Sequence, residues 1–217
     1  MKTSERAQKI FATLRKETSE MPETLVTTVM KEFGQDPFFI LISCLLSLRS
    51  RDTRTVHVCR TLFSKIRTPQ QLLEISRVEL EKIVFSLGFY RQRAKTLHEV
   101  SQIMIDDFFG KVPSDPTSLR ALPGVGLKTS NLVLGIAFGV PAICVDVHVH
   151  RISKRLGLVE TKNPDNTEAE LKKVLPQNLW TEWNDLLVKL GQNICLPRKP
   201  KCRSCPISGL CKTSSNY

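Results

Sequence analysis

Four cysteines crowd the C-terminal end of this 217-residue chain. Cys195, Cys202, Cys205 and Cys211 follow a C-x6-C-x2-C-x5-C pattern. Thiols this close can form two disulfides, bind zinc or hold an iron–sulfur cluster. Residues Met1 to Arg6 carry no apolar leader segment, which points to a reducing compartment where disulfides do not persist. Thiolates suit zinc and iron alike. Zinc ribbons pair their ligands in two C-x2-C knuckles, and here only Cys202 and Cys205 are so paired, a spacing that favours a cluster. Cys44, Cys59 and Cys144 stand alone in apolar surroundings and read as small buried hydrophobes.

A second constellation is Leu122-Pro123-Gly124-Val125-Gly126-Leu127-Lys128-Thr129. The proline and two glycines make a tight turn whose backbone can approach another surface closely. The helix that follows points its first N–H groups outward, an arrangement suited to a DNA phosphate, and Thr129 can add a hydroxyl. A Gly-x-Gly turn also serves as an ordinary helix connector. The frame is not a Walker A loop, and the glycines are too few for a dinucleotide fingerprint.

Charge supports a polyanionic partner. Lys and Arg number 32 against 21 Asp and Glu, a balance of +11. No acidic residue follows Asp185, while Lys189, Arg198, Lys199, Lys201, Arg203 and Lys212 are threaded among the four cysteines. An apolar content of 41% with 24% charged residues excludes disordered, collagenous and mucin-like chains. The longest apolar run, Phe38 to Leu48, is about half the length a bilayer demands. These features read as an intracellular protein that meets nucleic acid.

Helices must position these groups. Ala7, Ile10, Phe11 and Leu14 mark a helical face opening after a Ser4 cap; Leu25, Val26, Val29 and Phe33 mark another, closed by Gly34. Asp36-Pro37 opens a helix that is apolar nearly all round and therefore central. Asp52 caps the next, and Ser76 to Glu79 forms a capping box with Gly88 at the far end. Further helices run from about Arg91 to Phe109, after a capping box at Thr167 to Glu170, and from Leu179 to Gly191. Ile143, Val145, Val147 and Val149 alternate like a strand, but one short strand has no sheet to join. The expected fold class is all-α, with about ten helices and no internal repeat.

The hairpin, the run Asn131 to Gly139, the segment Val145-Asp146-Val147-His148-Val149-His150-Arg151 and the cysteine loop together resemble the endonuclease III family of helix-hairpin-helix DNA glycosylase/AP lyases. The resemblance extends over about residues 38–211 and includes Gly88-Phe89-Tyr90 and Gly110-Lys111-Val112-Pro113. It implies two helical domains with a DNA cleft between them. One is a six-helix barrel carrying the helix-hairpin-helix motif, residues 30–140; the other joins 1–29 to 141–217 and holds a [4Fe-4S] cluster on Cys195, Cys202, Cys205 and Cys211.

The same resemblance assigns the chemistry. The lysine matching Lys128 attacks C1′ of the damaged nucleotide and displaces the base. The aspartate matching Asp146 supports it, and β-elimination then cuts the strand 3′ to the abasic site. A lysine attacks only as the neutral amine, about one in a thousand at pH 7.5 with an ordinary pKa. A position near a helix N-terminus lowers that pKa.

The target base must leave the stack, and the gap it leaves is filled by intercalating side chains. The family fills it from loops matching Leu46 to Asp52 and Gly88 to Tyr90. Arg49 stands where glutamine is usual and Phe89 where leucine is common, while Val147 replaces a frequent threonine. DNA contacts are therefore expected from Arg49, Asp52, Phe89, Leu122, Gly124, Gly126, Thr129, His148, Arg198, Lys199, Lys201 and Arg203. The implied protein removes oxidised pyrimidines in base excision repair, as a monomer on the nucleoid in the cytoplasm. The alternatives are a monofunctional mismatch glycosylase, which would lack the Lys128 amine, and a non-catalytic metal-containing DNA-binding module, which gives no reason for Lys128 and Asp146 together.

Overall fold

The computed structural model describes residues 2–214. Among the described residues there are twelve α-helices and no strand. They are α1 (Thr3–Glu17), α2 (Leu25–Phe33), α3 (Pro37–Ser47), α4 (Asp52–Phe63), α5 (Pro69–Glu74), α6 (Arg77–Val84), α7 (Tyr90–Phe108), α8 (Pro116–Ala121), α9 (Leu127–Ala137), α10 (Val147–Leu156), α11 (Pro164–Val174) and α12 (Trp180–Asn193). Short 3-10 turns lie at Phe85–Leu87, Gln177–Leu179, Cys202–Ser204 and Ser208–Leu210.

The chain divides into two compact units: a central one of residues 24–140, and a terminal one of residues 1–23 with 141–217. In the central unit α3 is buried from Phe38 through Leu46, as its all-round apolar sequence requires. Asp36 starts it by accepting from the Phe38 amide at 2.7 Å. Helices α2, α4, α7 and α9 pack around it. Phe39 meets Phe63 of α4 at 4.6 Å between ring centroids and Phe33 of α2 at 5.7 Å. This aromatic contact places α2 in the central unit, which therefore begins at Thr24 rather than at residue 30.

In the terminal unit, α1 buries Ala7, Ile10, Phe11 and Leu14 against α12 and α11. Phe11 stacks on Trp183 with ring centroids 6.4 Å apart and planes inclined by 6°. Each large apolar side chain buried this way contributes roughly 1.5–3 kcal/mol of transfer free energy.

Three caps differ from expectation. The α1 helix starts at Thr3, because Glu5 reaches back to the Lys2 amide at 3.2 Å; Ser4 already lies inside. Arg51 caps α4 through its extended backbone, and Asp52 is the first helical residue, where its charge suits the helix dipole. The α11 helix opens at Asn163-Pro164, with Asn163 accepting from the Asn166 amide at 2.8 Å. Thr167 is consequently one turn inside, buried and bonded to the Asn163 carbonyl at 2.9 Å. The alternating segment at 143–149 is coil followed by the first turn of α10. Ile143, Val145 and Val149 join the core while Val147 points outward, 67% exposed.

Candidate functional site

The hairpin lies between α8 and α9. Asp115 fixes the entry by accepting from the amides of Thr117 at 3.0 Å and Ser118 at 2.9 Å. Those bonds, that to Ser118 foremost, hold its carboxyl below the usual range. The turn closes with the Val125 amide on the Leu122 carbonyl at 3.1 Å. Gly124 has φ +80°, and a Cβ there would stand 3.2 Å from the Leu45 side chain. Conformation and packing both demand glycine at that point. Gly126 has φ −91°, and a Cβ there would meet nothing within 4 Å. The fold itself therefore leaves room for a side chain at Gly126.

No side chain caps α9. Lys128 is its second residue and is half-buried. Its charge is felt by the Cys44 thiol of α3, which burial pushes up to about 11 against the opposing pull of the Lys128 charge. The side chains of Leu122 and Thr129 are 2% and 3% exposed. Both are turned into the core, so the contact expected of the Thr129 hydroxyl is not available on this surface.

Two other loops of the central unit carry strained residues. Arg49, after α3, has φ 56°, and Phe89, before α7, has φ 45°. Non-glycine residues enter this left-handed region at a cost and tend to do so where surrounding structure over-determines them. Arg49 is exposed and Phe89 is 72% exposed. With Gly124 they line one groove of about 420 Å³. Between the two loops lies the buried guanidinium of Arg93, which donates to the carbonyls of Gly88 and Leu46 at 2.9 and 3.1 Å. Sequence reading missed it. The signal was a charged residue in register with the buried stripe Ala94, Leu97, Val100, Ser101 and Met104 of α7.

In the terminal unit Asp146 is the N-cap of α10. Its Oδ1 accepts from the amides of His148 at 2.9 Å and Val149 at 2.8 Å. One carboxylate oxygen therefore holds the helix and fixes the group's orientation, leaving Oδ2 for other work. The His148 ring takes a hydrogen bond from Arg151 at 3.1 Å and packs over Gly191 of α12, where any Cβ would strike it. His150 bonds to Thr167 at 2.7 Å, and burial lowers its pKa, a packing histidine.

The four C-terminal thiols line a single pocket together with Ile152, Leu190 and Ile207. Arg155 donates to the Cys195 sulfur at 3.3 Å and to the Leu196 carbonyl at 2.7 Å, while its own carbonyl faces the Cys211 sulfur at 3.4 Å. Burial, and then the neighbouring thiols, raise the pKa of Cys202; Cys205 is also raised, with burial first among the causes. Among the described residues no three His, Cys, Asp or Glu side chains are gathered closely enough to hold one metal ion. Arg198, Lys199, Lys201 and Arg203 are exposed around this loop. Lys189 is not part of that rim: it is 9% exposed and paired with Asp185 at 3.1 Å. Cys44, Cys59 and Cys144 are buried. Among the described residues no helix is long and apolar enough to cross a membrane.

Residues 42–177 match the HhH-GPD superfamily base excision DNA repair proteins. Endonuclease III of Thermotoga maritima is 42% identical over 197 residues, covering 88% of this chain and 92% of that protein. A non-covalent endonuclease III–DNA complex superposes with a TM-score of 0.87 at 33% identity, over 100% of this chain and 98% of that one. A trapped endonuclease III–DNA covalent intermediate gives 0.86 at 33% identity, over 100% and 99%. The chain belongs to the HhH-GPD superfamily of base excision DNA repair proteins and, within it, to the endonuclease III family. Its activity is DNA glycosylase and abasic-site lyase.

Proposed function

We propose that this enzyme excises oxidised pyrimidines from duplex DNA and cleaves the strand 3′ to the vacated site, with Lys128 as nucleophile. The observation that carries the reading is an amine on the first turn of α9, immediately after a glycine turn with no capping side chain. The first-turn amides and the helix dipole favour a phosphate there. The Lys128 amine attacks C1′, the C1′–N bond breaks and the base departs. The C1′–O4′ bond then opens as O4′ takes a proton, which leaves a Schiff base between C1′ and Lys128; this acidifies C2′, and loss of that proton breaks the C3′–O bond and expels the 3′ phosphate. Water then releases Lys128. Asp146, held through Oδ1, has Oδ2 to handle protons or to stabilise the cationic sugar.

The outward face of Gly126, where a Cβ would meet nothing within 4 Å, leaves room for a strand backbone to approach. Gly124 supports the same turn from within. Arg49 and Phe89 fill the gap left by the flipped base, with Asp52 at the base of the Arg49 loop. His148, Arg198, Lys199, Lys201 and Arg203 bring positive or hydrogen-bonding groups to the phosphates. An enzyme of this kind works on the nucleoid in the cytoplasm.

Cys195, Cys202, Cys205 and Cys211 would hold a [4Fe-4S] cluster. The four thiols line one pocket, and their spacing, with only Cys202 and Cys205 in a C-x2-C pair, favours a cluster, in which each sulfur binds a different iron, over a zinc ribbon. When bound, the cluster supplies a covalent brace for the loop and takes no part in the bond changes above.

The test is borohydride trapping. Incubated with a duplex bearing an oxidised pyrimidine or an abasic site, the wild-type protein forms a covalent adduct and Lys128→Ala does not. An adduct of equal yield with Lys128→Ala would overturn the lyase assignment.

A further inference from the structure

We infer that Arg93 is a positioning residue that locks the two gap-filling loops into one rigid reader of the displaced base pair. The inference rests on the proposed role of Arg49 and Phe89 and adds what holds them.

Arg93 stands on α7 with 9% of its surface exposed. Its Nε donates to the Gly88 carbonyl at 2.9 Å, and Nη1 donates to the carbonyls of Leu45 and Leu46, both at 3.1 Å. Its Nη2 donates to the Leu48 carbonyl and, at 3.0 Å, to the Ser50 hydroxyl. Ser50 in turn donates to the Leu87 carbonyl at 3.1 Å. One guanidinium thus holds residues on both sides of Arg49 and the residue immediately before Phe89.

The partners are what a cation should find there. Leu45 and Leu46 lie in the last turn of α3 and Leu48 is its C-cap, where carbonyls lack helical partners and the dipole is negative. A planar fork can serve several carbonyls at once; an ammonium is a point donor and cannot span both loops. Arg49 and Phe89 meanwhile hold φ of 56° and 45°. Each is cost-bearing if left to itself, and each loop would relax if its anchor were lost. The bonds to the two loops converge on the same side chain, so neither loop can relax without disturbing the other's anchor.

Single-turnover excision on a duplex containing an oxidised pyrimidine is the test, with a fluorescent adenine analogue opposite the lesion reporting base displacement. Arg93→Lys is expected to slow displacement and excision about tenfold or more, and to flatten the dependence on the opposite base. Its Schiff-base trapping on a single-stranded abasic oligonucleotide, which presents no gap in a stack, stays within about twofold of wild type. A fold defect would depress both readouts together. Ser50→Ala, which removes one bridging hydroxyl and is mild for folding, is expected to slow displacement by roughly two- to fivefold. Combining Arg93→Lys with Phe89→Ala should cost little more than the worse single change, because both act through one element. Excision within about twofold of wild type in both Arg93→Lys and Ser50→Ala would overturn the inference. If Arg49→Ala and Phe89→Ala themselves leave displacement unchanged, the gap-filling role fails first. If those two slow it and the Arg93 and Ser50 variants do not, Arg93 alone is misassigned.

Discussion

Two loop systems of this enzyme are built by opposite means. The loops carrying Arg49 and Phe89 are held in a strained shape by the protein's own donors, converging on one buried arginine. The loop from Cys195 to Cys211 has two short 3-10 turns and a few backbone bonds, such as Lys201 to the Ile194 carbonyl at 3.0 Å. Arg155 touches both ends of it, donating to the Cys195 sulfur and the Leu196 carbonyl and accepting from Cys211 at 3.4 Å, and the four thiols line a shared pocket. The first pair of loops draws its anchors from the protein's own side chains; for the second, the proposed cofactor would supply the crosslink.

The largest predicted effect breaks the cysteine loop alone. Cys202→Ser or Cys205→Ser should abolish visible absorbance, and hydrogen exchange should rise across residues 195–211 while amides 45–50 and 87–93 stay protected. Equal loss of protection in both regions would mean that the two are not independently built.

A smaller effect separates the two hairpin glycines. Gly124→Ala meets a positive φ and the Leu45 side chain, so it should destabilise the fold by about 1–3 kcal/mol in chemical denaturation. Gly126→Ala should leave the denaturation midpoint nearly unchanged and weaken duplex binding instead. The reverse pattern would show that Gly126 serves the fold.

The smallest concerns Asp115. Its carboxyl titrates below the usual value because the α8 amides bind the ionised form. Its stabilising contribution is therefore present above about pH 4 and is lost as the pH falls through the depressed folded value. Asp115→Ala should lower the melting temperature at neutral pH, and the gap from wild type should close in acid. A gap that persists at low pH would assign the effect to something other than the charged cap.

Much of this was legible in the chain. Apolar stripes located the helices, because a 3.6-residue period follows from burying one face. The hairpin and the cysteine spacing are local and so appear in sequence order. The caps of α1, α4 and α11 shifted by one to four residues because several polar residues near each start compete for the same amides, and only the folded backbone chooses among them. Thr129 looked like a surface hydroxyl because sequence does not reveal which way the first turn of α9 faces. Arg93 was invisible as a hub because its partners on α3 are more than forty positions away in sequence, and carbonyls carry no sequence signal.

The account's central claim is that the Lys128 amine forms the Schiff base. After borohydride reduction on an abasic duplex, the adduct should be digested with trypsin and nuclease and mapped by mass spectrometry. A modified Lys128 resists trypsin, so the sugar remnant should be found on the uncut peptide from Ala121 to Arg151. Recovery of that remnant on any other lysine, or on the N-terminal amine, would contradict the account.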